Sequence, residues 1–436
     1  MKTKPVAAID IGTKKIVVLV GERAENNKIN ITAIDKSTSY GVDRGIVKNV
    51  EKAAQAIRES LQKINFDSQE INEVWVGIAG QHVRSIKTQA SIKFSDKKHK
   101  IIYDDIEELV QESFKTAIDH NETIVNVTPQ TFNTEHKKKI FSPLKEESSF
   151  LEGNFLLTIA QESSLENISN SLMINNLKPK ELILESIASA QSVLTEEQVQ
   201  KGVILIDIGG GTSDIAIFHK GSIIHSAVIP FGGEVVTSDI MKAFDLDYQY
   251  AEALKTQYGS VLYDKDSKDV ISLKNKMGEK INIKLKDLNF VITARIEEII
   301  DLIKFQIEIS GQAKQLEKGI VLTGGGALLK NIKQLYQFHF SQQNVEIGIP
   351  KTEFINPTSK ENLNQPIFST ATGLLITGIK YEESLIKRKE IEEEIKAEIS
   401  KEEEEKQKAK PKKGKPFDSL RDRFREIFNE EDKELK

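Results

Sequence analysis

No cysteine occurs in the 436 residues, which excludes disulfides and thiolate metal ligands and is compatible with a reducing compartment. The seven histidines show no zinc-ligand spacing. No stretch approaches the roughly 18 apolar residues of a membrane-spanning helix. Asp10, Lys14 and Lys15 break up the apolar N-terminal stretch, so it does not read as a signal peptide. Any membrane contact is therefore expected to be peripheral. A net charge of −5 gives no general nucleic-acid signal. A G-x-x-x-x-G-K-[ST] loop is also missing, and Gly209 to Asp214 does not complete the dinucleotide pattern G-x-G-x-x-G.

What the chain does have is one short motif twice. Ala8-Ile9-Asp10-Ile11-Gly12-Thr13 returns as Leu205-Ile206-Asp207-Ile208-Gly209-Gly210-Gly211-Thr212-Ser213-Asp214. Each copy is an apolar strand ending in Asp-x-Gly, then a hydroxyl residue, then a second apolar run. A glycine turn lets backbone N–H groups approach phosphate oxygens, and Thr13, Thr212 and Ser213 add donors. Asp10 and Asp207 would repel bare phosphate. They call for a hard cation between, Mg²⁺, held mostly through water. A single strand-glycine-strand segment is usually only a hairpin. Two copies that share the carboxylate and the hydroxyls point instead to two halves of a clamp around one polyphosphate.

Further pieces follow in order. Thr323-Gly324-Gly325-Gly326-Ala327 succeeds an apolar strand and is expected to feed a helix over Leu328–Leu335, giving a flat surface for a base or ribose. Phe231-Gly232-Gly233-Glu234 is a weaker element of the same kind. Glu252 and Lys255 share a helix face and could hold ribose hydroxyls, although spacing alone favours a surface ion pair. Glu185 lies where a strand meets a helix. There it is a candidate general base, or equally an acid complementing the helix dipole.

Periodicity predicts strands at Ile16–Val20, Ile29–Ile34 and Val74–Ile78, and a helix at Ala53–Ile64. Residues 85–162 read as an inserted α+β module of short strands around a helix at Ile106–Ile118. Helix-rich stretches are expected at Glu234–Tyr258 and Val291–Ile309. After Tyr381 the composition turns to Glu, Lys, Ile and Ala, and a charged flexible linker is expected over 382–416. Within 417–436, Phe417, Leu420, Phe424, Ile427 and Phe428 fall on one arc of a helix, and Arg421, Arg423 and Arg425 flank it. That is the pattern of an interfacial helix on anionic lipid, with Lys412, Lys413 and Lys415 adding charge upstream.

These motifs, in this order, resemble those of the actin, chaperone and sugar-kinase superfamily. Within it the chain is similar to the bacterial division protein family FtsA. The segments that carry this are Asp10–Ile16, Gly41-Val42-Asp43-Arg44-Gly45-Ile46-Val47, Val76-Gly77-Ile78-Ala79-Gly80, Ala251–Gly259 and Arg295-x-Glu297-Glu298. The resemblance implies an α/β, actin-like (ribonuclease H-like) two-lobed ATPase fold. Subdomain 1A would take 1–84 and 163–200, an inserted 1C module 85–162, 2A 201–228 and 311–381, and 2B 229–310. ATP with Mg²⁺ would be held by Gly12, Thr13, Lys14, Lys15, Gly209, Gly210, Gly211, Thr212, Ser213 and Gly233, with Glu252, Lys255, Gly324, Gly325, Gly326 and Ala327 around the nucleoside. Asp10 and Asp207 would hold the metal, and Asp207 and Glu185 would serve any slow hydrolysis. Implied partners are further copies in a filament, the FtsZ C-terminal tail on 229–310, later division proteins on 85–162, and anionic lipid. The implied place is the cytoplasmic face of the membrane at the septum.

Overall fold

The computed structural model describes residues 4–24, 28–95, 99–262, 266–274, 277–311, 316–341, 343–351, 355–356 and 363–383. The chain divides into two compact units, Met1–Ile379 and Lys380–Lys436, and every element named below lies in the first. The expected linker beyond 383 and the helix carrying Phe417, Leu420, Arg421, Phe424, Ile427 and Phe428 lie outside the described residues.

The chain opens with β1 (Val6–Ile11), β2 (Lys15–Arg23), β3 (Ile29–Thr38), the short pair β4 (Val42–Asp43) and β5 (Ile46–Val47), α1 (Val50–Lys63) and β6 (Glu73–Ile78). There follow β7 (Val83–Lys93), β8 (His99–Lys100), α2 (Tyr103–Ser113), β9 (Glu122–Asn133), β10 (Glu147–Ser148) and β11 (Phe150–Gln161). Then come α3 (Glu162–Met173), β12 (Lys178–Leu184), α4 (Glu185–Val193) and α5 (Glu196–Lys201). The second half contains β13 (Val203–Ile208), β14 (Ser213–His219), β15 (Ser222–Ile229), α6 (Gly233–Phe244), α7 (Tyr248–Gln257), β16 (Val270–Lys274) and β17 (Lys280–Lys284). It closes with α8 (Leu285–Ser310), β18 (Ile320–Thr323), α9 (Ile332–His339) and β19 (Val345–Ile347), and residues 369–379 are helical.

The repeated motif reflects a repeated topology. One five-stranded sheet runs β12-β6-β1-β2-β3 and the other β19-β18-β13-β14-β15. In each, three antiparallel strands are extended on the β1 or β13 side by parallel strands. β1 and β13 are buried along their whole length, as befits central strands covered on both faces. Their apolar residues are therefore not alternating but continuous.

The helices form for local reasons. Asn49 caps α1 by accepting from the Lys52 N–H at 2.8 Å, and Ala53, Ala56, Ile57 and Leu61 turn into the first core. In α8 the residues Leu288, Ile292, Ile296, Ile299 and Ile303 keep helical spacing and fill the second core. A third core lies between the first sheet and residues 363–379, where Trp75 and Val6 meet Leu374 and Leu375. Buried hydroxyls stitch the same region. Ser192 donates to the Ser369 carbonyl at 2.7 Å, and Thr323 and Ser369 share a hydrogen bond of 2.6 Å.

Several expectations need correction. The inserted region is not built of short strands alone, since only β8 and β10 are short among its described strands. β7, β9 and β11 are 11 or 12 residues long and form one antiparallel sheet, order β7-β11-β9, with α2 packed on it. β7 and β9 mix polar residues among the apolar ones along their length, so a run-based reading cuts them short. α2 begins at Tyr103 and stops at Ser113, because the Asp105 carboxylate accepts from the Ile102 N–H at 2.8 Å and sets the start. The stretch 234–258 is helix-rich as expected, in two helices parted at Asp245, which takes a left-handed conformation.

Candidate functional site

The two hairpins have the same geometry. Gly12 donates its N–H to the Lys15 carbonyl at 3.0 Å, and Gly209 donates to the Thr212 carbonyl at 2.8 Å. Asp10 sits opposite Val17 across its hairpin, and Asp207 sits opposite Asp214 across the other. The loops meet tip to tip. A Cβ on Gly210 would lie 2.6 Å from Lys14 Cγ, and one on Gly211 would lie 2.5 Å from Thr13 Oγ1. Thr13 Oγ1 in turn accepts from the Gly45 N–H at 3.0 Å.

A third loop seals one side. Gly233 and Glu234 donate their N–H groups to the carbonyls of Gly209 and Gly210 at 2.9 and 2.8 Å, which anchors the start of α6 on the second hairpin. Gly324, with φ of +79°, lies so close to Asp207 that a Cβ would sit 2.2 Å from its Oδ1. Gly325 to Leu328 form only a single 3₁₀ turn with Ala327 buried, and the α-helix starts at Ile332. The helix expected at Leu328–Leu335 is thus displaced by four residues, since Leu329 is extended and Asn331 left-handed. The small residues still present a bare backbone, but no α-helix N-terminus stands directly behind them.

Four carboxyls gather beneath the hairpins. Asp207 accepts from Ser189 at 2.6 Å and from Thr370 at 3.3 Å. Asp214 accepts from Thr212 at 2.9 Å through one oxygen, while its other oxygen is buried without a partner. Lys15 supplies the nearest counter-charge, 2.9 Å from Asp10, and also donates to the Ile367 carbonyl. Burial and the neighbouring acids decide the ionisation. Burial raises Asp207, with the Ser189 hydroxyl opposing. Burial, then the charge of Asp207, pushes Asp214 up to about 8. Glu185, the first residue of α4, is held well above its ordinary range by burial, then by Asp10, Asp214 and Asp207. Its side chain packs on Gly77, where an added Cβ would meet Glu185 Cγ at 2.9 Å. Such an excess of carboxyl over cation, with one buried oxygen unserved, fits a site completed by a divalent ion. Among the described residues no three His, Cys, Asp or Glu side chains converge to cage an ion directly.

The Glu252 and Lys255 pair is no ordinary surface contact. Lys255 lies 2.7 Å from Glu252, donates to the Gly233 carbonyl at 3.0 Å and reaches the Thr237 hydroxyl at 2.7 Å. Its side chain is only 13% exposed. Tyr248 donates to Glu234 at 2.9 Å, and its ring lies under the Lys14 ammonium at 4.0 Å. Lys14 also pairs with Glu234. Burial lowers the Lys14 ammonium from its ordinary range and pushes Glu234 up to about 7. Lys14 on the first hairpin therefore reaches the α6–α7 face that carries Glu252 and Lys255.

The structure brings together Asp10, Gly12, Thr13, Lys14, Lys15, Glu185, Asp207, Gly209 to Ser213 and Gly233, with Gly324 against Asp207. Ser213 is an exception in role, since its hydroxyl donates to the Phe231 carbonyl at 2.8 Å. Sequence reading passed over Asp214, Ser189, Thr370, Thr237 and Tyr248. Asp214 carried a signal: an acid inside an apolar strand where the first hairpin has Val17. The others are brought in by tertiary packing alone.

Comparison with known proteins bears on this arrangement. The family model "Cell division protein FtsA" matches residues 204–373, and "SHS2 domain inserted in FTSA" matches residues 80–159. Cell division protein FtsA of Pseudomonas aeruginosa is 31% identical over 380 residues, covering 86% of this chain and 90% of that protein. FtsA of Neisseria meningitidis serogroup B is 30% identical over 384 residues, covering 87% and 91%.

The chain belongs to the FtsA family of cell division proteins.

FtsA of Escherichia coli K12 is 29% identical over 409 residues, covering 91% of this chain and 95% of that protein. Solved structures confirm that the FtsA-family chain has the actin-like fold. A PilM–PilN type IV pilus biogenesis complex aligns at TM-score 0.63 with 17% identity, covering 86% of this chain and 98% of that one. MreB5 of Spiroplasma citri bound to ADP aligns at TM-score 0.54 with 16% identity, covering 88% and 98%. The same protein bound to AMPPNP aligns at 0.51 with 18% identity, covering 90% and 99%.

Proposed function

We propose that this FtsA-family chain binds Mg–ATP between its two hairpins, assembles on the cytoplasmic face of the cell membrane and tethers FtsZ filaments there at the septum. The observation that carries the reading is the meeting of two equivalent Asp-Gly hairpins over one buried cluster of carboxyls. Gly12, Thr13, Lys14 and Lys15 would face the phosphates from one side, and Gly209 to Thr212 from the other. Asp10 and Asp207 would hold Mg²⁺ through water, and the ion would offset the charge that drives Asp207, Asp214 and Glu185 toward protonation. Glu252 and Lys255 would meet the ribose hydroxyls, with Gly324 to Ala327 against the base. Glu185 can act as a base only when ionised, and burial with the neighbouring acids disfavours that form. That supports slow turnover rather than rapid catalysis.

Membrane attachment is assigned to Phe417, Leu420, Arg421, Phe424, Ile427 and Phe428. One short helix binds lipid weakly, and assembly of many copies multiplies the hold without any new contact. The FtsZ tail is assigned to 229–310 and later division proteins to 85–162. Vesicle sedimentation tests the tether. FtsZ filaments should pellet with anionic vesicles when the full-length chain and Mg–ATP are both present, and stay in solution when the chain is truncated after Tyr381. Equal recruitment by the truncated chain would sink the assigned anchor, and no recruitment by either form would sink the tethering role.

A further inference from the structure

The insert between β6 and α3 touches more than the lobe it grows from. Both its ends join elements of the first lobe, the one built on β12-β6-β1-β2-β3. Its three long strands run β7-β11-β9, and successive residues of the central strand face opposite ways. Leu151, Phe155, Leu157 and Ile159 of β11 enter the insert's own core with Leu109 of α2. Leu156 is 3% exposed and belongs to a different core. There it joins Phe218 of β14 and Ile223 of β15, which are part of the second lobe, and Ala190 and Val193 of α4.

Polar contacts surround this apolar seat. Ser85 of β7 and Ser226 of β15 share a hydrogen bond of 2.5 Å. Gln130 of β9 donates to the Ile223 carbonyl at 2.6 Å. Lys220, in the turn between β14 and β15, places its ammonium 5.3 Å from the centre of the Phe141 ring. Both outer strands of the insert thus reach β15, the edge strand of the second sheet. Edge strands carry unpaired backbone groups, and here the Ile223 carbonyl is answered by the insert.

The covalent chain holds the insert to one lobe, and noncovalent contacts hold it to the other. α4 touches strands of both sheets. A rotation of one lobe on the other about α4 must therefore slide Leu156 across Phe218 and Ile223 and break both hydrogen bonds. One apolar side chain with a polar surround is a seat small enough to release. β15 also runs on toward Gly233 and Glu234, whose N–H groups are bonded to the Gly209 and Gly210 carbonyls, so a shift of β15 reaches the second hairpin. We propose that the insert is a releasable clasp: seated on β15 it fixes the angle between the lobes, and released it lets the two hairpins part. Nothing in this inference depends on what the hairpins hold.

The test measures the angle directly, on the full-length chain with no nucleotide added. The sequence has no cysteine, so Glu51→Cys on α1 and Ala243→Cys on α6, both at exposed positions, take one nitroxide label in each lobe. Pulsed electron paramagnetic resonance then gives the distribution of distances between them. The expected result is one narrow distribution in the labelled parent and one at least twofold wider when Ser226→Arg forces a large charged side chain into the seat. Should Ser226→Arg fail to fold, Leu156→Ala, which empties the seat without adding bulk, is expected to widen the distribution in the same direction. Equal widths in parent and variant would overturn the clasp, since the angle would then be set without the insert.

Discussion

Asp214→Asn is expected to abolish much of a pH dependence that the nucleotide-free protein shows in the presence of a chelator. The carboxyl of Asp214 is pushed up to about 8 by burial and by Asp207. In the unfolded chain the same group ionises near its ordinary value. Between those two values the unfolded state holds fewer protons than the folded one. Stability therefore falls as pH rises from about 4 toward 8, the reverse of a salt-bridged aspartate. Glu185 and Asp207 are raised as well and act with the same sign. Between pH 5 and pH 8 the parent should lose roughly 2–4 kcal/mol, at about 1.4 kcal/mol per unit of displaced titration. The asparagine variant has no charge to bury and should lose much less, with thermal melts at the two pH values as the readout. Parallel melting profiles for parent and variant would show that the buried oxygen of Asp214 is already compensated within the protein.

The second large effect is predicted for Gly373, far from the hairpins in sequence. An added Cβ there would fall 1.7 Å from the Ala188 carbonyl oxygen and 2.3 Å from its carbon. These are backbone atoms of α4, so no side-chain rotation relieves the overlap, and the helix itself must move. α4 begins at Glu185 and carries Ser189, whose hydroxyl holds Asp207. Gly373→Ala should cost roughly 3 kcal/mol or more, the upper end for overpacking in a tight core. It should also weaken nucleotide binding by shifting Ser189. Denaturant unfolding measures the first consequence and nucleotide titration the second. By contrast Gly278, where an added Cβ meets nothing within 4 Å, makes a matched control for the loss of a glycine, although its positive φ carries a small penalty of its own. A Gly373→Ala protein that unfolds with the parent would mean that α4 and the 369–379 helix are not packed as described.

Much of this architecture was legible because two copies of one pattern constrain each other. A lone Asp-x-Gly turn is commonplace, but Asp10 and Asp207 stand at corresponding positions of two sheets with matching strand order. Central strands such as β1 and β13 were visible as continuous apolar runs. The sheet of the inserted region was harder, since β7 and β9 mix polar with apolar residues and read as shorter segments. A helix end was misplaced where a single backbone conformation decides it, as at Asn331, because that residue type can also continue a helix. The pairing of Glu252 with Lys255 was visible as spacing. That it is mostly buried, and tied to Gly233 and Thr237, depends on how α7 lies against α6. Ser189 and Thr370 belong to segments 181 positions apart, and no local pattern joins them.

The central claim is that both hairpins hold one nucleotide, and calorimetric titration of the full-length chain with Mg–ATP tests it most directly. The expected result is one nucleotide bound per chain, with the binding heat lost both in Lys15→Ala on the first hairpin and in Asp207→Asn on the second, while both variants keep the circular dichroism of the parent. Two independent binding events, or full affinity surviving the loss of either side chain, would contradict the clamp.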